Sequence, residues 1–181
     1  MAGQLRQAAV GRRNAWSFGL SLLVVAAIAL MATPEANAQT KLGPSGLPLP
    51  RYVTIAASEA NLRAGPGNRY PIDWVYRRAG LPVQIIAEYD MWRKVRDQDG
   101  DEGWMFRGLL SGRRNIVVMR ARAILFSQAK ETSQRILIAE KGVQGKLMTC
   151  EDAWCRVEID SSKGWISRSE IWGVGEDEEF R

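Results

Sequence analysis

Trp92-Arg93-Lys94-Val95-Arg96, followed by Gly103-Trp104-Met105-Phe106-Arg107, returns later in the chain as Trp154-Cys155-Arg156-Val157-Glu158 and Gly164-Trp165-Ile166-Ser167-Arg168. In each copy a glycine, Gly80 or Gly142, stands twelve residues before the first tryptophan, and a valine follows that tryptophan by three. The interval between the paired tryptophans differs by one residue, which a turn can absorb. Agreement of a Gly, a Trp, a Val and a Gly-Trp-apolar-x-Arg block is improbable by chance, so the chain contains an internal duplication.

Each copy reads as strands. Tyr52-Val53-Thr54-Ile55 and Leu81-Pro82-Val83-Gln84-Ile85 alternate with valine and isoleucine on one face. Arg135-Ile136-Leu137-Ile138-Ala139 and Gly145-Lys146-Leu147-Met148-Thr149 play these parts in the second copy. Between Arg96 and Trp104 lie Asp97, Asp99, Asp101 and two glycines, a turn cluster that makes the flanking runs a hairpin. Pro82 falls near a strand start, where a missing N–H is tolerated. Helical periodicity is not sustained after the N-terminal segment. The expected fold is all-β, with two tandem small barrels over residues 51–112 and 113–175. Domains of that size bury only about 60% of their unfolded surface, so the barrels are expected to pack against each other.

Residues 1–38 read as a signal peptide. Arg6, Arg12 and Arg13 precede an apolar run from Trp16 to Met31, and Ala36-Asn37-Ala38 then presents a small-x-small cleavage pattern before Gln39. The general secretory route fits better than the twin-arginine route. Contact with a membrane is expected only if this segment stays uncleaved. Residues 39–50, rich in proline and glycine, read as an extended spacer. Removing three arginines and Glu35 with the signal lowers the net charge from +5 to +3, and the remaining charges are interspersed, so no nucleic-acid partner is expected. The chain has no histidine, which removes Ser-His-Asp and Cys-His catalysis and any imidazole metal site. No enzyme, metal or cofactor is expected.

The run Ala60-Asn61-Leu62-Arg63-Ala64-Gly65-Pro66-Gly67, together with the Trp-x-x-Val and Gly-Trp-apolar blocks, resembles the bacterial Src-homology-3 (SH3-like) domain family. Members commonly carry an N-L-R-x-G-P motif near the start and a G-W-[IV] motif near the end of a five-stranded barrel. The first copy matches at both ends. The second has Ile124-Leu125-Phe126-Ser127-Gln128-Ala129 in place of the early motif and matches from Lys141 onward. The resemblance implies an extracytoplasmic, periplasmic binding module, with peptidoglycan or an envelope component as partner. The alternative is a structural adaptor that binds another periplasmic protein.

Leu62 is expected in the core, with Gly65, Pro66 and Gly67 shaping a turn. Arg63 is read first as an internal contact and second as a bidentate carboxylate ligand. Arg69, Tyr70, Trp74, Tyr76 and Trp92 complete the candidate binding set, each ring being open to either core packing or ligand stacking. Trp104 and Trp165 are expected to fill the barrels. Cys150 and Cys155, separated by four residues that favour a turn, are expected to form a structural disulfide. Asp97 to Glu102 reads as a solvated turn rather than a calcium loop, and residues 176–181 as a frayed acidic tail.

Overall fold

The computed structural model describes residues 41–180. The expected signal segment and its cleavage position at Ala38–Gln39 lie outside the described residues.

After β1 (Lys41–Leu42) and β2 (Pro48–Leu49), the first copy contains β3 (Arg51–Ile55), β4 (Ala60–Arg63), β5 (Ile72–Tyr76), β6 (Pro82–Tyr89), β7 (Trp92–Arg96), β8 (Glu102–Phe106) and β9 (Leu110–Ser111). The second repeats these as β10 (Asn115–Val118), β11 (Arg122–Phe126), β12 (Arg135–Glu140), β13 (Gln144–Glu151), β14 (Trp154–Ile159), β15 (Ser162–Ser167) and β16 (Ile171–Trp172). The two antiparallel sheets have the same strand order, β5-β4-β8-β7-β6-β3-β9 and β12-β11-β15-β14-β13-β10-β16. Even the irregularities repeat. Bulges fall at Leu62/Arg63 and Leu125/Phe126, and at Ile85/Ala87 and Leu147/Thr149, so each sheet bends into a small barrel at equivalent points. Gly80 and Gly142 also correspond, at φ +91° and +85°, a left-handed conformation in which an L side chain is strained. The one-residue difference between the copies lies in the β14–β15 turn, where Asp160 and Ser161 both have positive φ and make a tight hairpin.

Alternation decides what enters each core. Val53, Ile55, Leu62, Val83, Ile85, Val95 and Met105 are buried in the first barrel, and Ile116, Leu125, Leu147, Val157 and Ile166 in the second. Gly103 lets Leu62 lie close, since a Cβ there would stand 2.5 Å from Leu62 Cγ. Trp104 and Trp165 do not fill the barrels. The residues after them, Met105 and Ile166, are fully buried, and the period of two turns each tryptophan to the outer face, where it is half-buried.

Two further expectations need correction. Of the expected spacer 39–50, the described residues 41–50 are not a bare linker: β1 and β2 pair, Leu49 is buried, and Ser45 donates from N and Oγ to Glu88 at 2.8 Å each. The acidic tail is also tied down. Glu178 accepts two hydrogen bonds from Arg114 at 2.5 and 2.9 Å, and Phe180 bridges the backbone of Cys150.

Cys150 and Cys155 are joined by a disulfide and are fully buried. They face each other across β13 and β14, while Cys150 directs its N–H and C=O to Phe180. The same cross-strand position in the first barrel is held by Glu88 and Arg93, whose Oε1 and Nε are 3.2 Å apart. Closing so small a ring should contribute about 2 kcal/mol by restricting the unfolded chain. The urea midpoint of the protein is expected to fall on reduction, and an unchanged midpoint would show that the bridge adds no stability.

The barrels touch through a small set of specific contacts. Asn115 Nδ2 donates to Gly80 O at 2.9 Å, and Thr54 Oγ1 to Arg113 O at 2.7 Å. Tyr52 stands edge-on to Trp172, with ring centroids 5.3 Å apart. Arg114 lies 5.8 Å from the Tyr52 ring and 5.1 Å from the Phe180 ring. Gly173 is needed here, because at φ +119° a Cβ would collide with Asn115 O.

Candidate binding face on the first barrel

Strands β7 and β8 position this face. With Arg93, Val95 and Met105 directed inward, Trp92, Lys94, Trp104 and Phe106 share the outer side. Trp92 is paired with Phe106 on one side and Tyr89 on the other. Its ring meets Phe106 edge-on at 5.9 Å. Trp104 is flanked by Lys94 and Arg63, and Arg63 in turn pairs with Ile72. Several large groups here remain in solvent: Tyr89 is 61% exposed, Ile72 46% and Phe106 39%. Trp74, also 61% exposed, stands opposite the buried Leu62 and so leaves the edge strand β5 on the other side of the sheet. Lys94 and Arg96 share the carboxylate of Glu102, at 2.7 and 2.5 Å, which leaves one net positive charge beside the rings.

The candidate residues separate by role. Arg63 Nη1 donates to Tyr70 O at 2.8 Å and Asn68 O at 3.2 Å, so its guanidinium braces the loop between β4 and β5. Tyr70 folds over Gly65, where a Cβ would run into the ring, and Arg69 lies 5.3 Å from its centroid. Trp74 projects from β5, the outermost strand. Tyr76 is not on the face. It is 6% exposed, and its hydroxyl donates to Asp97 Oδ2 at 2.8 Å. Burial, and then the bond to Asp97, raise the Tyr76 pKa well above that of an ordinary phenol. Asp97 is therefore no solvated turn residue. It is buried and also accepts from the N–H groups of Asp99 and Asp101 at 3.0 Å, which shapes the β7–β8 turn.

Ile72, Tyr89, Trp104 and Phe106 were not in the candidate set. Alternation from Val95 and Met105 places Trp104 and Phe106 outward, and Tyr89 precedes the two-residue turn to Trp92. The second barrel lacks an equal aromatic row, although its edge strand β12 exposes Ile136 and Ile138. Phe126 replaces Arg63 and is buried against Trp154, ring to ring at 5.8 Å, while Ser167 and Glu151 stand where the first barrel has Phe106 and Tyr89.

The description "Bacterial SH3 domain" matches the chain twice, over residues 56–112 and 119–173. The chain belongs to the bacterial SH3 domain family. It is also 24% identical over 132 residues to a Bacillus subtilis (strain 168) protein named "Putative N-acetylmuramoyl-L-alanine amidase YrvJ". That match covers 67% of this chain and 25% of the relative, so the bacterial SH3 pair spans about a quarter of it. Among solved structures, NlpC2 from Trichomonas vaginalis is similar at a TM-score of 0.33 and 11% identity, over 68% of this chain and 48% of that one. An NlpC/P60 family protein from Bacillus cereus ATCC 10987 gives 0.31 and 15%, over 67% and 55%. Neither superposition, at such scores, bears on function.

Proposed function

We propose that this protein is a non-catalytic, extracytoplasmic module that binds the cell wall, with peptidoglycan as its target and the outer face of the first barrel as its contact surface. The carrying observation is the row of rings on the outer side, Tyr89 at 61% and Phe106 at 39% exposed on either side of Trp92, with the half-buried Trp104 on the same strand as Phe106 and Trp74 exposed at the sheet edge. Folding gains nothing from leaving such rings in water, and the adjoining Tyr89, Trp92 and Phe106 form apolar surface of the kind that marks an interaction site. Flat rings suit stacking on sugars and short peptides, with Arg69 and Tyr70 at the edge supplying polar contacts. A relative named as a putative N-acetylmuramoyl-L-alanine amidase supports the target, and a disulfide that an oxidising compartment maintains supports the location.

A second reading rests on β5. It is the edge of its sheet and carries Ile72 and Trp74 in solvent, so an extended segment of another envelope protein can pair with it as an added strand. Co-sedimentation with purified sacculi separates the two. Saturable retention supports wall binding, whereas absence of retention with capture of a protein partner supports the adaptor.

A further inference from the structure

Between the barrels lies a cleft of about 950 Å³, whose lining includes none of the exposed rings of the outer face of the first barrel. Its floor is aromatic and apolar, formed by the edge-to-face pair Tyr52 and Trp172 with Ile171 and Val174. One wall comes from the first barrel through Gln84 and Arg96. The opposite wall and mouth come from the disulfide hairpin and the C-terminal segment, including Asp152, Glu176 and Asp177.

Acidic side chains outnumber basic ones in the lining, with Asp152, Glu176, Asp177 and Glu179 against Arg96 and Arg168. Arg96 shares Glu102 with Lys94. Arg168 keeps its charge, but its donors are engaged by backbone: its Nε donates to Asp152 O at 2.7 Å, and its Nη1 to Gly175 O and Glu178 O at 2.5 and 2.9 Å. These bonds hold the tail segment in place as a wall of the cleft. The side chains of Asp152, Glu176 and Asp177 are exposed, and among the described residues they enter no ion pair. The indole Nε1 of Trp172 has no hydrogen-bond partner among the described residues. Burial, and then the charge of Glu178, push the Tyr52 pKa up to about 12, so the floor stays uncharged under neutral conditions.

We propose that this cleft is a second binding site, one that neither barrel forms alone, and that it takes a short peptide bearing a side-chain ammonium group. Acidic groups around aromatic rings are the complement of an ammonium ion, which is attracted both by the carboxylates and by the ring faces. A carboxylate or phosphate ligand would be repelled by the mouth. The site is independent of the wall-binding face, because it uses none of Trp74, Tyr89, Trp92 and Trp104.

The test uses the whole chain, its tryptophan indole signals followed by NMR, and two probes: the peptide acetyl-Ala-Lys-Ala-amide and the same peptide with the lysine acetylated. The lysine peptide is expected to shift the Trp172 indole signal saturably. Acetylation should weaken binding by about tenfold or more, and Glu176→Gln with Asp177→Asn should weaken it by a similar factor. Raising the salt concentration should weaken the lysine peptide alone. Equal binding of the two peptides, no saturable shift at Trp172, or shifts confined to Trp74 and Trp92 would overturn the proposal. Retention on sacculi is measured in parallel. The Glu176→Gln, Asp177→Asn variant is expected to retain it, so the cleft and the wall-binding face can fail separately.

Discussion

Glu88→Ala is expected to cost the protein about 3–5 kcal/mol of stability at neutral pH, the range seen when one partner of a buried ion pair is removed. The Glu88 side chain is 1% exposed and stands between Arg51 and Arg93, which are 18% and 9% exposed. It also accepts two hydrogen bonds from Ser45. Removing it leaves two guanidinium groups facing each other without an anion, and frees the β1–β2 hairpin from the barrel. Burial alone would raise the Glu88 pKa, but the bonds from Arg51 and Ser45 outweigh it and bring the value down to about 2. The unfolded chain, whose glutamates titrate near about 4.3, therefore takes up this proton first as pH falls. The contribution is complete above about pH 5 and is lost as pH drops towards the folded value, on the order of 3 kcal/mol in all. Urea titrations at pH 7 and pH 3 should show a little over half of it, about 1.7 kcal/mol, in the parent protein and a much smaller difference in Glu88→Gln. A loss below about 1 kcal/mol in Glu88→Ala would mean that the triad behaves as a surface pair.

Trp74→Ala is expected to lower retention on sacculi by about tenfold or more while leaving the unfolding midpoint nearly unchanged, because interface energy concentrates in a few aromatic anchors. The ring is 61% exposed, so folding gains little from it. Trp104→Ala should lower retention as well, with a larger effect on stability, since that ring is half-buried. Two controls give the series its meaning. Trp165→Ala removes the counterpart in the second barrel and should leave retention intact. Tyr76→Phe removes a buried hydroxyl bonded to Asp97 and should affect stability only. If Trp165→Ala abolished retention and Trp74→Ala did not, the binding face would belong to the second barrel.

The duplication was legible because it rests on spacing, and spacing survives divergence of the side chains. Even the exchange of the Glu88–Arg93 pair for the Cys150–Cys155 bridge can be read this way, since Glu88 and Cys150 each stand four residues before the paired tryptophan. The burial of Leu62, Val95 and Val157 followed from alternation. The same alternation should have placed Trp104 and Trp165 outward. Ring size suggested the core instead, but a barrel this small is filled by Met105 and Ile166, and a neighbouring tryptophan on the same strand has to point away.

What could not be read depends on contacts between distant segments. Glu176 to Glu179 looks like any solvated acidic tail until Arg114, sixty-four residues from Glu178, takes hold of it. The proline- and glycine-rich stretch before Arg51 is recruited in the same way by Glu88, forty-three residues from Ser45. Arg114 and Arg51 are equivalent positions in the two copies, each at the entry to a first strand and each bound to a glutamate. A terminal segment thus closes each barrel at the same place, and the cleft between the barrels exists only once they have docked.

The decisive measurement is NMR mapping of the tryptophan indole signals of the whole chain during titration with solubilised peptidoglycan fragments. Wall recognition through the first barrel requires saturable shifts at Trp74, Trp92 and Trp104, with Trp165 unmoved. Fragments that leave all three signals in place, or that shift only Trp154 and Trp165, would contradict it.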